Sequence, residues 1–158
     1  MSTAQAPNRV VWERFVRGQA VLSRELDDRL QAEHDLTLSA FELMLLADSA
    51  DAQGGVRMTD VAESLVLTRS GITRLVDSLE KRGFVHRVPC KRDGRVTWIR
   101  LTRIGSALFR AAAASHQAAV QELFFDRFSE DELATLNAFL ERLPIGRSDL
   151  TGCGMSDD

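Results

Sequence analysis

The chain has 158 residues, 44% of them apolar and 27% charged, and a formal net charge of −3. That balance suits one well-buried soluble domain, or a small domain with an appended assembly element, and excludes a disordered chain. Cys90 and Cys153 lie far apart without CxxC spacing, which fits a reducing compartment and excludes a disulfide scaffold.

No apolar run approaches the roughly 20 residues of a membrane span. Residues 1–8 are polar and lack the apolar stretch of a secretion signal, so a cytoplasmic location is expected. From about Asn8 to Glu33 the spacing of Trp12, Phe15, Leu22, Leu26 and Leu30 predicts one long helix. Ser39-Ala-Phe-Glu42 reads as a capping box, followed by the near-continuous apolar run Phe41–Ala47 of a helix buried all round. Ala52–Gly55 is a turn, and Thr59 is expected to cap a short helix carrying Val61, Ala62 and Leu65.

Thr68 then caps a helix that runs to Arg82 and stops at Gly83, with Ile72, Leu75, Val76 and Leu79 on its inward face. Phe84–Val88 and Arg95–Leu101 alternate as two strands around a hairpin tip marked by Pro89 and Asp93-Gly94. Thr102 caps a second long helix to about Phe128. Ser129 and Glu132 form a capping box for a last helix, ended by Pro144. The element order is mainly α, of the α+β kind, with a compact unit of about residues 36–101 bracketed by long helices. Neither bracketing helix can bury its apolar stripe within so small a unit, so pairing with a second copy of the chain is expected.

Charge singles out one segment. Arg69–Arg103 holds ten Lys/Arg against three Asp/Glu, a net of +7, which leaves −10 on the remainder of a chain at −3. A basic helix and hairpin inside an acidic protein is the footprint of a polyanion-binding element, with double-stranded DNA the first partner.

The residues Arg69-Ser70-Gly71-Ile72-Thr73-Arg74-Leu75-Val76-Asp77, Leu79-Glu80-Lys81-Arg82-Gly83-Phe84-Val85, Asp93-Gly94-Arg95 and Arg100-Leu101-Thr102 resemble the MarR family of bacterial transcription regulators. The likeness spans roughly residues 10–143, and the family's Asp-x-Arg wing motif falls on Asp93 and Arg95. The resemblance implies a symmetric dimer of winged helix-turn-helix lobes, repressing genes until a small molecule or oxidant releases it. It divides the chain into an N-terminal dimerisation helix (1–35), the DNA-binding lobe (36–101), C-terminal dimerisation helices (102–144) and a flexible tail (145–158). Where many members carry an acidic, proline-containing wing tip, this chain has Cys90-Lys91-Arg92, a more cationic one.

On this reading Thr68, Arg69, Ser70, Thr73 and Arg74 face the major groove, where Arg pairs bidentately with guanine and Ser or Thr reach bases or phosphates. Lys91, Arg92 and Arg95 straddle phosphates from the wing, with Arg95 suited to a narrow minor groove. Asp93 braces Arg95, as the resemblance implies. Arg87 and Arg100, on the wing strands, are expected to meet phosphate or solvent. Asp77 and Glu80 are expected to face away from the groove. Trp98 is expected to pack against Val96 and a neighbouring helix. Trp12 and Phe15 are read as dimer core, with a small-molecule pocket as the alternative role. Cys90 beside two cations raises a thiol-switch alternative, and a non-specific architectural DNA binder is the other rival. His34, His86 and His116 have no metal-ligand spacing, and no catalytic constellation or cofactor motif occurs, so neither enzyme activity nor a cofactor is expected.

Overall fold

A computed structural model describes residues 5–65, 67–89 and 96–143. Its helices are α1 (Gln5–His34), α2 (Leu38–Ser49), α3 (Met58–Ser64), α4 (Arg69–Lys81), α5 (Arg103–Leu123) and α6 (Glu130–Leu140). Three strands, β1 (Val56–Arg57), β2 (Val85–Pro89) and β3 (Thr97–Leu101), form an antiparallel sheet in the order β1-β3-β2. Val56 pairs with Ile99, Arg87 with Ile99 from the other side, and Pro89 with Thr97. The sheet is thus a hairpin to which the short strand before α3 adds an edge. Of the tip expected at Pro89–Gly94, Pro89 instead ends β2. Residues 90–94, Arg95 (expected to open the second strand) and the tail from 145 lie outside the described residues.

The core sits where α2, α4 and β3 meet. Leu36, Leu43, Met44, Val61, Ile72, Val76, Leu79, Val85 and Ile99 are all buried there. α2 buries Ala40, Phe41, Leu43, Met44 and Ala47, as its unbroken apolar run predicts. α5 closes the other side through Phe109, whose ring stacks on Phe41 at 5.6 Å between centroids. His116 also stacks on Phe41, at 4.5 Å, and burial pulls its pKa below the ordinary 6.5, which disfavours the charged ring.

Three of the expected caps are present. Thr68 accepts from the Gly71 amide at 3.1 Å and Thr102 from the Gly105 amide at 2.9 Å, and Ser129 and Glu132 exchange both bonds of a capping box. Two are corrected. The cap of α2 is Thr37, whose extended backbone turns Oγ1 onto the Ala40 amide at 3.2 Å, while Ser39 is already helical. Asp27 of α1 accepts from the Leu38 amide at 2.6 Å, a second partner for that helix start from a distant turn. α3 begins at Met58 straight out of β1, so the N-cap position falls on Arg57, with no side-chain cap, and Thr59 is inside the helix. The second long helix ends at Leu123, and a 3-10 turn, Phe125–Arg127, leads to α6.

The joint between the wing and α5 is close-packed. Gly83 ends α4 with φ 76°, a left-handed conformation that only glycine adopts without strain. Thr102 Oγ1 donates to the Gly83 carbonyl at 2.7 Å, and the Thr102 amide donates to the Phe84 carbonyl at 3.0 Å. A Cβ on Gly105 would stand 1.9 Å from the Phe84 carbonyl oxygen, so α5 can approach the wing root this closely only with glycine there.

Candidate nucleic-acid interface

α4 is strongly two-sided. Ile72, Val76 and Leu79 are buried, whereas Ser70, Thr73, Arg74, Asp77 and Ser78 are exposed. The residues at 70, 74 and 77 recur at helical spacing and so share one outward stripe. Thr68 binds the Gly71 amide and lies 3.2 Å from the Ser70 hydroxyl, which orders the start of the helix and its first outward side chain together. Arg74 is exposed and, among the described residues, enters no ion pair. Its guanidinium is therefore free for an external anion or base edge.

Three other cations of the basic segment, Arg82, Arg87 and Arg100, are engaged within the chain. Arg87, on β2, donates from Nη2 to Asp77 Oδ1 at 2.6 Å and from Nη1 to Glu80 Oε2. Its main-chain amide donates to Glu80 Oε1 at 2.9 Å. Asp77 and Glu80 thus turn toward the wing strand. Arg100, on β3, donates to Asp51 at 3.1 Å. Arg82 donates to both the carbonyl and the carboxylate of Asp35 at 2.8 and 2.9 Å, and its guanidinium lies 4.8 Å from the Phe84 ring centre. Asp35 is the residue between α1 and α2 that adopts a positive φ of 54°. Arg82 therefore ties the end of α4 to the hinge where the long N-terminal helix enters the lobe.

Trp98 has a neighbour beyond those expected from the sequence. It is paired with Arg57 across the β1–β3 ladder, and the Arg57 guanidinium lies 5.1 Å from the centre of its ring. Between β1, α4 and the wing root runs a notch of about 380 Å³, lined by Arg57, Thr59, Thr73, Arg87 and Thr97 among others.

Of the residues expected to meet DNA, Thr68, Ser70, Thr73 and Arg74 lie together at the start of one helix, and Arg87 stands beside that helix on the strand. Lys91, Arg92, Asp93 and Arg95, with Cys90, fall outside the described residues, and the backbone of Arg69 opens α4. Trp12 and Phe15 sit on α1 with ring centroids 6.3 Å apart, both exposed. Phe15 borders a groove of about 920 Å³ between α1, the end of α5 and α6.

The MarR family model matches residues 36–97, the compact lobe that carries this helix and sheet. The HTH-type transcriptional regulator YhjH of Bacillus subtilis is 32% identical over 136 residues, covering 84% of this chain and 73% of that protein. Sco3205, a MarR family transcriptional regulator from Streptomyces coelicolor in complex with DNA, superposes with a TM-score of 0.77 at 29% identity, over 86% of this chain and 88% of its own. CouR from Rhodococcus jostii RHA1, bound to p-coumaroyl-CoA, gives a TM-score of 0.74 at 26% identity, over 87% and 93%. A winged helix-turn-helix lobe with an outward polar helix, and this match along most of the chain, place it: the protein belongs to the MarR family of transcriptional regulators.

Proposed function

We propose that this regulator acts as a homodimeric repressor that reads a pseudopalindromic operator and is released from it by a small-molecule effector. The observation that carries the reading is the two-sided α4, in which Ser70, Thr73 and Arg74 stand exposed over a fully buried Ile72, Val76 and Leu79. A helix held that firmly from behind can present its first turns to base edges. Thr68, Arg69, Ser70, Thr73 and Arg74 would read the major groove, and Lys91, Arg92 and Arg95, with Asp93 bracing Arg95, would hold phosphates and the adjoining minor groove.

Uncovered apolar surface supports the dimer. Val10, Val11, Trp12, Phe15, Val16 and Val21 of α1, and Phe139 of α6, are exposed, and α6 lies only loosely against the rest of the chain. A second copy would hide these faces, and two-fold symmetry of the protein would demand two-fold symmetry of the site, with half-sites about 10 bp apart. Between α1, α2 and the segment that joins α3 to α4 is a cleft of about 330 Å³, bordered by Gln19, Ser23, Ser39, Glu42 and Leu65. An effector seated between frame and lobe would favour one spacing of the two recognition helices over another, which is how release would follow from binding. CouR, a relative at 26% identity, is known bound to an acyl-CoA, which favours an effector of this general kind over an oxidant.

Selection of bound sequences from a random duplex pool tests the reading. A symmetric motif is expected, and an architectural binder would instead enrich nothing. On the selected site Arg74→Ala should cost on the order of 1–3 kcal/mol and relax base preference. Arg95→Ala should weaken binding evenly across sequences and flatten the salt slope by about 1. Equal losses for Arg74→Ala on cognate and random duplex would overturn the assignment of base reading to α4.

A further inference from the structure

We propose that Arg87 is a positioning residue: it locks the wing strand to the recognition helix and cancels two carboxylates there, and is not itself a phosphate contact. The proposal rests on the DNA-binding reading above and assigns Arg87 a task different from that of Arg74 and the wing-tip cations.

Arg87 stands in the middle of β2, opposite Ile99 of β3, with its side chain 28% exposed. Both oxygens of Glu80 are taken by this one residue, Oε1 by the main-chain amide at 2.9 Å and Oε2 by Nη1. Nη2 takes Asp77 Oδ1 at 2.6 Å. Two carboxylates three residues apart on a helix therefore grip one rigid, planar fork on a strand. That geometry fixes both the distance and the rotation of the wing relative to α4. A lysine, a point charge on a flexible stem, could not do the same.

Charge supplies the second half of the argument. Asp77 shares its outward stripe with Ser70 and Arg74, so it lies on the side of α4 that DNA approaches. Glu80 flanks the same stripe on the wing side, as Thr73 does one ridge earlier. Left uncompensated, these two carboxylates would set two negative charges against a polyanion whose own charges are spaced every few ångströms. With Arg87 between them the cluster carries a single net negative charge. For the guanidinium to swing out to a phosphate it would have to give up two charge-assisted partners and strand both. The geometry therefore assigns Arg87 to the helix, and its contribution to binding passes through Asp77 and Glu80.

The test uses the full chain and the selected duplex, with binding measured over a salt series and thermal unfolding measured without DNA. R87Q should weaken binding on the order of tenfold, because two carboxylates lose their cation. R87Q/D77N/E80Q replaces the ionic cluster by three amides, and it should return to within about threefold of wild type with an unchanged salt slope. A triple variant that stays as weak as R87Q, with a slope smaller in magnitude by about 0.9, is the signature of one lost phosphate contact and would overturn the proposal. Should R87Q alone not fold, the triple variant against wild type decides the same question. Without DNA, the loss of thermal stability in R87Q should be largely recovered in the triple variant, and strictly additive losses would also overturn it. Failure of the wild type to bind any duplex would instead sink the DNA-binding reading, while the DNA-free comparison still judges the clamp.

Discussion

The lobe between Leu36 and Leu101 and the helices that flank it solve their burial problem differently. Within the lobe, every large apolar residue of the core finds a partner in the same chain, from Leu43 and Met44 on α2 to Ile99 on β3. Three of its cations, Arg82, Arg87 and Arg100, each sit on a carboxylate from elsewhere in the chain, while Arg74 enters no ion pair among the described residues. Among the flanking helices, α6 and the first half of α1 leave large apolar residues unmet. Trp12 is 65% exposed and Phe139 58%, although both lie on well-formed helices. Near its C-terminal end α1 does join the lobe, through buried Leu30, and it is tied to the other flanking helix by Arg29, which pairs with Glu122 of α5 at 2.8 and 3.0 Å. One chain thus contains a finished unit and an unfinished one. Stability should accordingly be a property of the chain in the first region and of the assembly in the second.

The strongest way to break this contrast is a cavity in the lobe. Leu43 is completely buried, and Leu43→Ala should cost about 3 kcal/mol, the usual price of a large core truncation. Because the loss lies within one chain, it should appear undiminished at every protein concentration in thermal unfolding. A loss that fades as the protein is diluted would mean that the lobe core, too, depends on a second copy.

The flanking helices should behave in the opposite way. Trp12→Ser with Phe139→Ser removes two large apolar groups that the chain itself leaves in water, so the lobe should lose little. The change should appear as a shift from dimer to monomer in analytical ultracentrifugation, and as a Tm that no longer rises with concentration. A double variant that remains dimeric with an unaltered Tm would place the interface elsewhere, and would return Trp12 and Phe15 to the small-molecule reading.

Much of the fold was legible because its signals are local. Thr68, Thr102 and Ser129 each cap a helix whose recipient amide is three residues on, so residue type and spacing suffice. The inward face of α4 follows from period alone, and so does the order of the outward Ser70 and Arg74. The start of α2 was not legible in that way. Ser39 and Glu42 mimic a capping box, but the cap falls on Thr37, because the chain turns at Asp35 and Asp27 reaches the Leu38 amide from eleven residues back. The same limit applies to charge. Composition reports a net of +7 on Arg69–Arg103, yet it cannot say that Arg87 is held by Asp77 and Glu80 or that Arg100 meets Asp51, 49 positions away. Which cations are free is a property of tertiary structure. Hence Arg74 reads the same from sequence and structure, while Arg87 does not.

The smallest effect expected tests the seam between the two regions. His116 of α5 stacks on Phe41 of α2, where burial lowers its pKa, so the folded protein holds the ring neutral below the pH at which the unfolded chain would protonate it. The unfolded state therefore binds more protons as the solution is acidified, and stability falls with falling pH. The contribution is present in full well above the ordinary value of 6.5 and is lost as the pH drops through that value toward the depressed one. Tm measured from about pH 8 downward should begin to decline near pH 6.5. His116→Gln, which keeps a polar side chain of related shape but does not titrate, should lower the plateau and flatten this part of the curve. An identical decline in the variant would show that protonation is felt elsewhere, and that the α2–α5 contact does not register it.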